Sequence, residues 1–255
     1  MAVEKVFVVC NRLYILTRVA AIAKMRTSQS VIELLRQVVI MDSFKEKGRA
    51  YRKQLIADAA FRLFAHQSFE TVTVDDIAEE AGCGKGTIYQ YFGNKEQILN
   101  SLVYQGLDDL CSQIKEHCSD NPDILDAIEK YLELQFDFFL HYNQIFASWL
   151  RLASSKISSG YQETVDHIEA KFEEKLNLVA AIFDKGVEKK LLRNMHGYSL
   201  AKITETVARN CTFIFFPDKD LYANPQHILC MLKEIICNGI LREKHVFNTE
   251  NTNPA

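Results

Sequence analysis

The sequence predicts an all-α protein, in which an N-terminal three-helix head precedes a helical body, with about nine helices altogether. Two observations support this fold class. Only 10 glycines and 4 prolines occur in 255 residues, too few for the turns of a many-stranded sheet. Hydrophobic residues make up 48 % of the chain, and along most of it they recur at spacings of three and four, which is typical of helices that share a core.

Residues 1–41 form a basic and apolar N-terminal extension before the predicted head. Two interpretations stay open: an arm that contacts nucleic-acid phosphate, or an over-long start, with Met41 as the true first residue. Polar residues interrupt the apolar stretch, so a signal peptide is not predicted. No run of about 18 apolar residues occurs anywhere, so we expect no membrane-spanning segment.

The first long helix is predicted from Tyr51, where an apolar stripe begins: Leu55, Ile56, Ala59, Ala60, Leu63 and Phe64. Cations crowd its start, at Lys45, Lys47, Arg49, Arg52 and Lys53. Positive charge at a helix N-terminus opposes the helix dipole, so helix stability does not explain these residues. A phosphate partner would, and we therefore predict that Arg49 and Arg52 contact DNA.

Two short helices follow the long one. Thr73 is a good N-cap for a helix over residues 74–81, with two aspartates in its first turn, and this helix stops at Gly82. A third helix is predicted from Lys85 to Tyr91, and Asn94 caps a fourth. A long helix followed by two short ones around a glycine turn is typical of a helix-turn-helix.

Every later segment is predicted to be helical, between breaks at Asn121-Pro122, residues 158–160, His196-Gly197 and residues 216–218. The predicted helices span 95–117, 123–141, 143–153, 162–190, 198–216 and 225–241. The domain prediction is therefore an extension over 1–41, a helix-turn-helix domain over 42–95, a helical body over 96–245 and a flexible tail over 246–255.

The stretch from Thr73 to Leu99, TVDDIAEEAGCGKGTIYQYFGNKEQIL, resembles the signature of the tetracycline-repressor (TetR) family. The features that match are the TVDDIAEEAG helix, the GTIYQYF segment and the NKEQIL that opens the fourth helix. The resemblance implies a dimeric, sequence-specific DNA-binding regulator with a helical effector-binding and dimerisation domain.

The predicted DNA contacts lie on and around the third helix. A short helix that begins with small residues can enter a major groove about 12 Å wide. We expect Lys85, Gln90 and Tyr91 to contact base edges, and Thr87, Tyr89 and Lys95 to donate to phosphates, with Gly86 allowing close approach. Thr73 is expected to combine its cap with a phosphate contact.

Two residues depart from the family pattern. Ser68 stands where the family has the glycine that ends the first helix, so a left-handed serine is expected, at a cost of about 1 kcal/mol. Gly84 replaces the serine that caps the third helix, and glycine is weaker there by a few tenths of a kcal/mol.

The resemblance also implies two sites in the helical body. The last two helices would form a four-helix dimer interface, for which we predict Leu200, Ile203, Val207, Cys211, Ile228, Leu232, Ile235 and Ile236. The central helices would surround an effector pocket, for which we predict Phe136, Phe139, Trp149, Phe172, Phe183 and Arg209. Some of these aromatics could simply be core residues, and Arg209 could face an anionic ligand or solvent.

No cofactor, metal site or catalytic residue is predicted. The seven cysteines are odd in number and form no C-x-x-C pair, which favours reduced thiols in a cytoplasmic protein. The GCGKGT segment is not a phosphate-binding loop, because a glycine follows its lysine and no strand precedes it.

The sequence thus predicts a non-enzymatic, ligand-responsive regulator that represses transcription as a homodimer. It binds a palindromic operator in double-stranded DNA and is released from it by a small hydrophobic effector. Three alternatives stay open: an activator on the same fold, a helical small-molecule-binding or enzyme-like protein with an accessory head, and a nonspecific architectural DNA binder. A net charge of −3 disfavours the last, because such proteins are strongly basic overall.

Overall fold

The computed structural model describes residues 28–155, 162–215 and 225–240. This described part contains eight α-helices and no strand, which confirms the all-α prediction. The helices are α1 (Ser28–His66), α2 (Val74–Glu80), α3 (Lys85–Phe92), α4 (Lys95–Ile114), α5 (Ile124–Ser155), α6 (Gln162–Glu188), α7 (Gly197–Phe215) and α8 (Pro225–Ile240). A π-helical segment, Lys115–Ser119, extends α4. The predicted tail, 246–255, lies outside the described residues.

Contacts divide the chain into two compact units, one ending at Leu55 and the other beginning at Ile56. In the first unit, α1 begins at Ser28, so the prediction of a helix starting at Tyr51 was wrong. The reason is local: residues 28–47 contain neither proline nor glycine, and leucine, glutamine, glutamate and arginine favour continuation of the helix. The predicted boundary at residue 41 therefore falls inside a helix.

The second unit contains the helix-turn-helix, α2 and α3. A buried cluster holds these helices against the carboxyl-terminal half of α1: Ile56, Ala60, Phe64, Ile77, Ala78, Ile88 and Phe92. Ser68 has no positive φ, so the expected left-handed serine was wrong. Its carbonyl instead accepts the amides of Thr71 and Val72 in a turn that leads to α2.

The helical body is built from α4 to α8. The separate helices predicted over 123–141 and 143–153 are one helix, α5. The helix continues through Tyr142 and Asn143, because both side chains pack within the body. Asn143 is buried, and Tyr142 stacks on Phe138 with ring centroids 5.0 Å apart. A Cβ on Gly106 would lie 2.5 Å from Tyr142, so glycine allows α4 to approach α5 closely.

Within residues 28–155, 162–215 and 225–240, no helix combines the length and the apolar character that a bilayer span requires.

Candidate DNA-binding surface and effector-binding body

The position of α3 depends on the two ends of α2. At its start, the Thr73 hydroxyl accepts the Asp76 amide at 3.1 Å, and the Asp76 carboxylate accepts the Thr73 amide at 2.8 Å, which together form a capping box. At its end, Gly82 has φ +63°, and Cys83 N–H donates to the Ala78 carbonyl at 2.9 Å. This left-handed turn after the helix favours glycine and directs the chain into α3.

The outer face of α3 carries four of the predicted DNA contacts together: Lys85, Gly86, Tyr89 and Gln90, all exposed. Ile88 and Phe92 are buried on the opposite face and fix the rotation of the helix. Nothing lies within 4 Å of a Cβ built on Gly84 or Gly86, so the first turn is open to a close approach. The arrangement therefore presents a lysine, a tyrosine and an amide around an open helix N-terminus.

Two other predicted contacts on α3 are less accessible. Thr87 and Tyr91 are half-buried, and Tyr91 packs against the hydrophobic cluster that holds the helix-turn-helix. Tyr91 is thus partly a core residue, whereas Tyr89 is 48 % exposed.

Lys85 forms an ion pair that the sequence reasoning did not predict. Its Nζ lies 2.8 Å from Asp75 Oδ2, and both side chains are exposed. The hydrogen bond to Asp75 raises the pKa of Lys85. Because water screens an exposed pair, a DNA phosphate or base could replace Asp75 at little cost.

Lys95 lies at the start of α4, but its ammonium bonds to the protein itself. Nζ donates to the Phe69 carbonyl at 2.6 Å and to the Val72 carbonyl at 2.7 Å, and it lies 4.3 Å from the centroid of the Phe69 ring. Partial burial lowers the pKa of this lysine. Lys95 therefore ties the turn between α1 and α2 to α4, and one N–H of the ammonium is left for a phosphate.

The remaining predicted contacts have different surroundings. The Thr73 hydroxyl donates to Asp76 Oδ2 at 2.8 Å, so its proton serves the cap. Arg49 and Arg52 are exposed on α1, in the first unit, and their contact with DNA stays a prediction.

The body contains a cluster of aromatic side chains between α5 and α6. Ring centroids are 5.8 Å apart for Phe139 and Phe146, 5.7 Å for Phe146 and Trp149, and 6.1 Å for Trp149 and Phe172. Of the predicted pocket residues, the structure brings Phe139, Trp149 and Phe172 into this cluster. Phe183 lies elsewhere, 6.5 Å from Tyr131, and Phe136 is buried.

A charged group lies buried beside these rings. Lys175 on α6 is 0 % exposed, and its Nζ lies 3.0 Å from Glu205 Oε1 on α7 and 3.1 Å from Gln135 Oε1 on α5. Nζ also lies 5.2 Å from the centroid of the Phe172 ring. Burial lowers the pKa of Lys175, whereas the Glu205 carboxylate raises it. Arg209 is half-buried, and its charge lowers the pKa of Lys175 further.

The predicted dimer residues separate into two groups. The structure buries Leu200, Ile228, Leu232 and Ile236 within the protomer. Ile203 on α7 and Ile235 on α8 are 54 % and 61 % exposed, and Val207 is half-buried. Cys211 lies outside the residues whose side chains are described.

Comparison with known proteins agrees with this geometry. Residues 56–102, from the end of α1 to the first part of α4, match the family described as "Bacterial regulatory proteins, tetR family". Over 204 residues the chain is 26 % identical to the fatty acid metabolism regulator protein of Bacillus subtilis, covering 77 % of this chain and 98 % of that protein. The family match and these relatives support a TetR-family transcriptional regulator. The homologues are transcriptional regulators and not enzymes, and they support a DNA-binding regulator.

Other TetR-type proteins are similar over different extents. The HTH-type transcriptional repressor KstR2 of Rhodococcus jostii is 29 % identical over 90 residues, and this chain spans only 44 % of its length in the match. Two solved structures share the TetR fold at low identity. The ketosteroid transcriptional regulator KstR2 of Mycobacterium tuberculosis has a TM-score of 0.58 and 19 % identity, and the match covers 75 % of this chain and 97 % of that one. A transcriptional regulator from Saccharomonospora viridis in complex with choline has a TM-score of 0.66 and 17 % identity, and the match covers 76 % of this chain and 100 % of that one.

The sequence reasoning missed the buried polar residues of this TetR-type body. A signal was present, because Lys175 follows Phe172 by three positions and precedes Val179 by four, on the apolar face of α6. Glu205 follows Ala201 by four positions and precedes Ala208 by three, on the apolar face of α7. A charged residue on the apolar face of a helix indicates a buried partner on a neighbouring helix.

Proposed function

We propose that this protein is a homodimeric repressor that leaves a palindromic operator when a small, largely apolar effector binds its helical body. The reading surface would lie in the segment that ends at Lys95, and the effector and dimer sites in the body that begins at residue 96. The observation that carries the proposal is the outer face of α3, where Lys85, Tyr89 and Gln90 are exposed around the open backbone of Gly86.

The chemistry of this face fits double-stranded DNA. A lysine and a glutamine side chain supply the donors and the acceptor that distinguish base edges in the major groove, and a tyrosine hydroxyl can donate to phosphate. The helix N-terminus itself attracts anions, and the weak Lys85–Asp75 pair can be exchanged for DNA. Because these groups lie together on one face, they can bind DNA even though the whole chain has a net charge of −3.

A second copy of the chain would bind at the exposed apolar residues of α7 and α8. Ile203, Met231 and Ile235 are 54 %, 41 % and 61 % exposed, and apolar residues in one region of a surface favour a protein partner. A two-fold dimer places two α3 helices at matching half-sites, which is the reason for expecting a palindrome.

Repression and release by a ligand are supported by relatives. One relative is named a repressor, another a fatty acid metabolism regulator, and one solved neighbour a ketosteroid regulator. The body of this chain has a buried aromatic cluster beside a buried charge, which suits a largely apolar ligand with one polar group. Ligand binding would favour a conformation in which the two α3 helices no longer fit the operator spacing.

Selection from a random duplex library, followed by footprinting with the full chain, tests DNA recognition. We expect a protected palindrome that is lost in Lys85→Ala/Tyr89→Ala and retained in the control Lys115→Ala/Tyr104→Ala, which changes the same residue types on α4 and its π-helical extension. Retention of the footprint in the α3 variant would contradict the proposed surface. Transcription in vitro then separates a repressor from an activator on the same operator.

Oligomeric state is tested by light scattering. Ile203→Lys/Ile235→Lys should convert dimer to monomer. The control Leu191→Lys/Met195→Lys, at apolar residues between α6 and α7 that are 39 % and 40 % exposed, should not. A dimer that survives the first change would contradict the proposed interface.

A further inference from the structure

One face of α5 carries two polar and three aromatic side chains in order. Tyr131, Gln135, Phe139, Phe146 and Trp149 follow one another at spacings of four, four, seven and three, which places them on the same side of the helix. Between Gln135 and Trp149 the helix rises by roughly 21 Å. This face is therefore polar at one end and aromatic at the other.

At the polar end, Lys175 fixes the orientation of the Gln135 amide. The ammonium can only donate, so the oxygen of the amide faces it, at 3.1 Å. The same ammonium lies 3.0 Å from Glu205. As a result, the Nε2 group of Gln135, which can only donate, points away from Lys175.

Two hydrogen-bond donors at this end are buried and unpaired within the part of the chain that the structure describes. They are Gln135 Nε2 and the Tyr131 hydroxyl, on residues that are 0 % and 1 % exposed. Burial and the nearby Glu205 carboxylate raise the pKa of Tyr131, so the hydroxyl keeps its proton. Leaving such groups without partners is unfavourable, and an oxygen acceptor would satisfy both.

At the aromatic end, the buried rings of α5 form an apolar region next to the polar group. Phe172 connects the two ends, because its ring lies 5.2 Å from Lys175 Nζ and 6.1 Å from the Trp149 ring. Trp149 is the single tryptophan of the chain. Its Nε1 is a further buried donor that lacks a partner among the described residues.

We infer that the effector is an elongated apolar molecule that ends in an oxygen acceptor, a carbonyl or a carboxylate, which accepts from Tyr131 and Gln135 while its apolar part packs on Phe139, Phe146 and Phe172. This inference rests on the proposed function, in which the body binds an effector. A cationic end group is excluded, because it has no acceptor for these donors and would lie beside the Lys175 ammonium.

Four probes of equal chain length test the end group: methyl decanoate, sodium decanoate, decylamine and n-decane. Their binding to the full chain is followed by the fluorescence of Trp149, and release of DNA by fluorescence anisotropy of the selected operator. We expect methyl decanoate or decanoate to bind at least ten-fold more tightly than decane and decylamine. Whichever of the two binds more tightly identifies the acceptor as carbonyl or carboxylate.

The decisive variant is Tyr131→Phe, which removes one unpaired hydroxyl and no hydrogen bond of the free protein. It should fold normally and reduce the preference for the oxygen-bearing probe over decane roughly ten-fold, as expected for one lost hydrogen bond. The control Tyr142→Phe makes the same change at a half-buried position of α5 and should leave that preference unchanged.

Three results would overturn the inference. They are equal binding of all four probes, tightest binding of decylamine, or an unchanged preference in Tyr131→Phe. If no probe binds while the same sample still recognises its operator, the inferred ligand class is wrong and the DNA-binding function stands. If the probes bind as expected but no operator is recognised, the proposed function fails instead.

Discussion

The helix-turn-helix and the body each contain a lysine paired with a carboxylate, and the two pairs differ in burial. Lys85 and Asp75 are 2.8 Å apart, with side chains 48 % and 67 % exposed; Lys175 and Glu205 are 3.0 Å apart, at 0 % and 9 %. Water screens the first pair, which suits the exchange of Asp75 for DNA that we propose for Lys85. The second pair has lost its hydration, so each charge depends on the other. Two ion pairs of similar distance therefore differ in consequence: the exposed pair can be broken easily, whereas the buried pair stabilises the core of the body.

The largest effect is expected for Lys175→Met. It leaves the Glu205 carboxylate buried without its partner, and we expect the free energy of unfolding to fall by about 3–5 kcal/mol. Denaturation in urea measures this value. Lys202→Met, at an exposed position of α7, should change it by less than about 0.5 kcal/mol.

The double variant Lys175→Met/Glu205→Leu sharpens the same comparison. Replacing both charges by apolar side chains should restore much of the lost stability, because no charge is left unpaired. If the single variant unfolds at the same urea concentration as the wild type, the pair does not hold the body together.

A smaller effect is expected for Lys95→Met. The carbonyls of Phe69 and Val72 lose their shared donor, and the free energy of unfolding should fall by about 1–3 kcal/mol. Lys85→Ala should leave the free energy of unfolding almost unchanged and weaken operator binding instead. Urea denaturation and operator affinity, measured on both variants, separate the two roles. Equal loss of stability in both would contradict the distinction between an internal lysine and a surface lysine.

The smallest effect concerns acid. Hydrogen bonds from Lys115 and Lys171 lower the pKa of Glu174 from 4.5 to about 2. A carboxylate with a lowered pKa stabilises the fold above its usual pKa, and this contribution is lost as the pH falls from 4.5 through 2. Glu174→Gln should therefore be slightly less stable than the wild type at pH 6 and equal to it near pH 2. Thermal denaturation across this range, with Glu188→Gln as control, checks the trend.

The helix-turn-helix could be predicted in detail because its signals are local. Thr73 and Asn94 cap helices through bonds to residues three positions away, and Gly82 takes the left-handed turn that its place after α2 requires. Such interactions depend on neighbouring residues alone. Lys95 was the exception, since its bond to Phe69 spans 26 positions and no local pattern indicates it.

The body could be predicted only as a set of helices. Its polar chemistry joins Gln135, Lys175 and Glu205, residues 30 or more positions apart, and helical spacing shows which face is buried but not which residues meet. For the same reason, the sequence could not separate buried from exposed residues among those predicted for the dimer interface. Leu232 and Ile235 lie on one apolar helix, and only the packing of the other helices decides that the first is buried and the second exposed.

The specificity of DNA binding tests the central claim, that the outer face of α3 recognises sequence, most directly. Affinity for the selected operator and for a scrambled duplex is measured at one salt concentration with the wild type and with Gln90→Ala. We predict that the wild type prefers the operator by about 10³-fold or more, and that Gln90→Ala loses roughly ten-fold or more of this preference. Equal affinity of the wild type for both duplexes, or an unchanged ratio in Gln90→Ala, would contradict the claim.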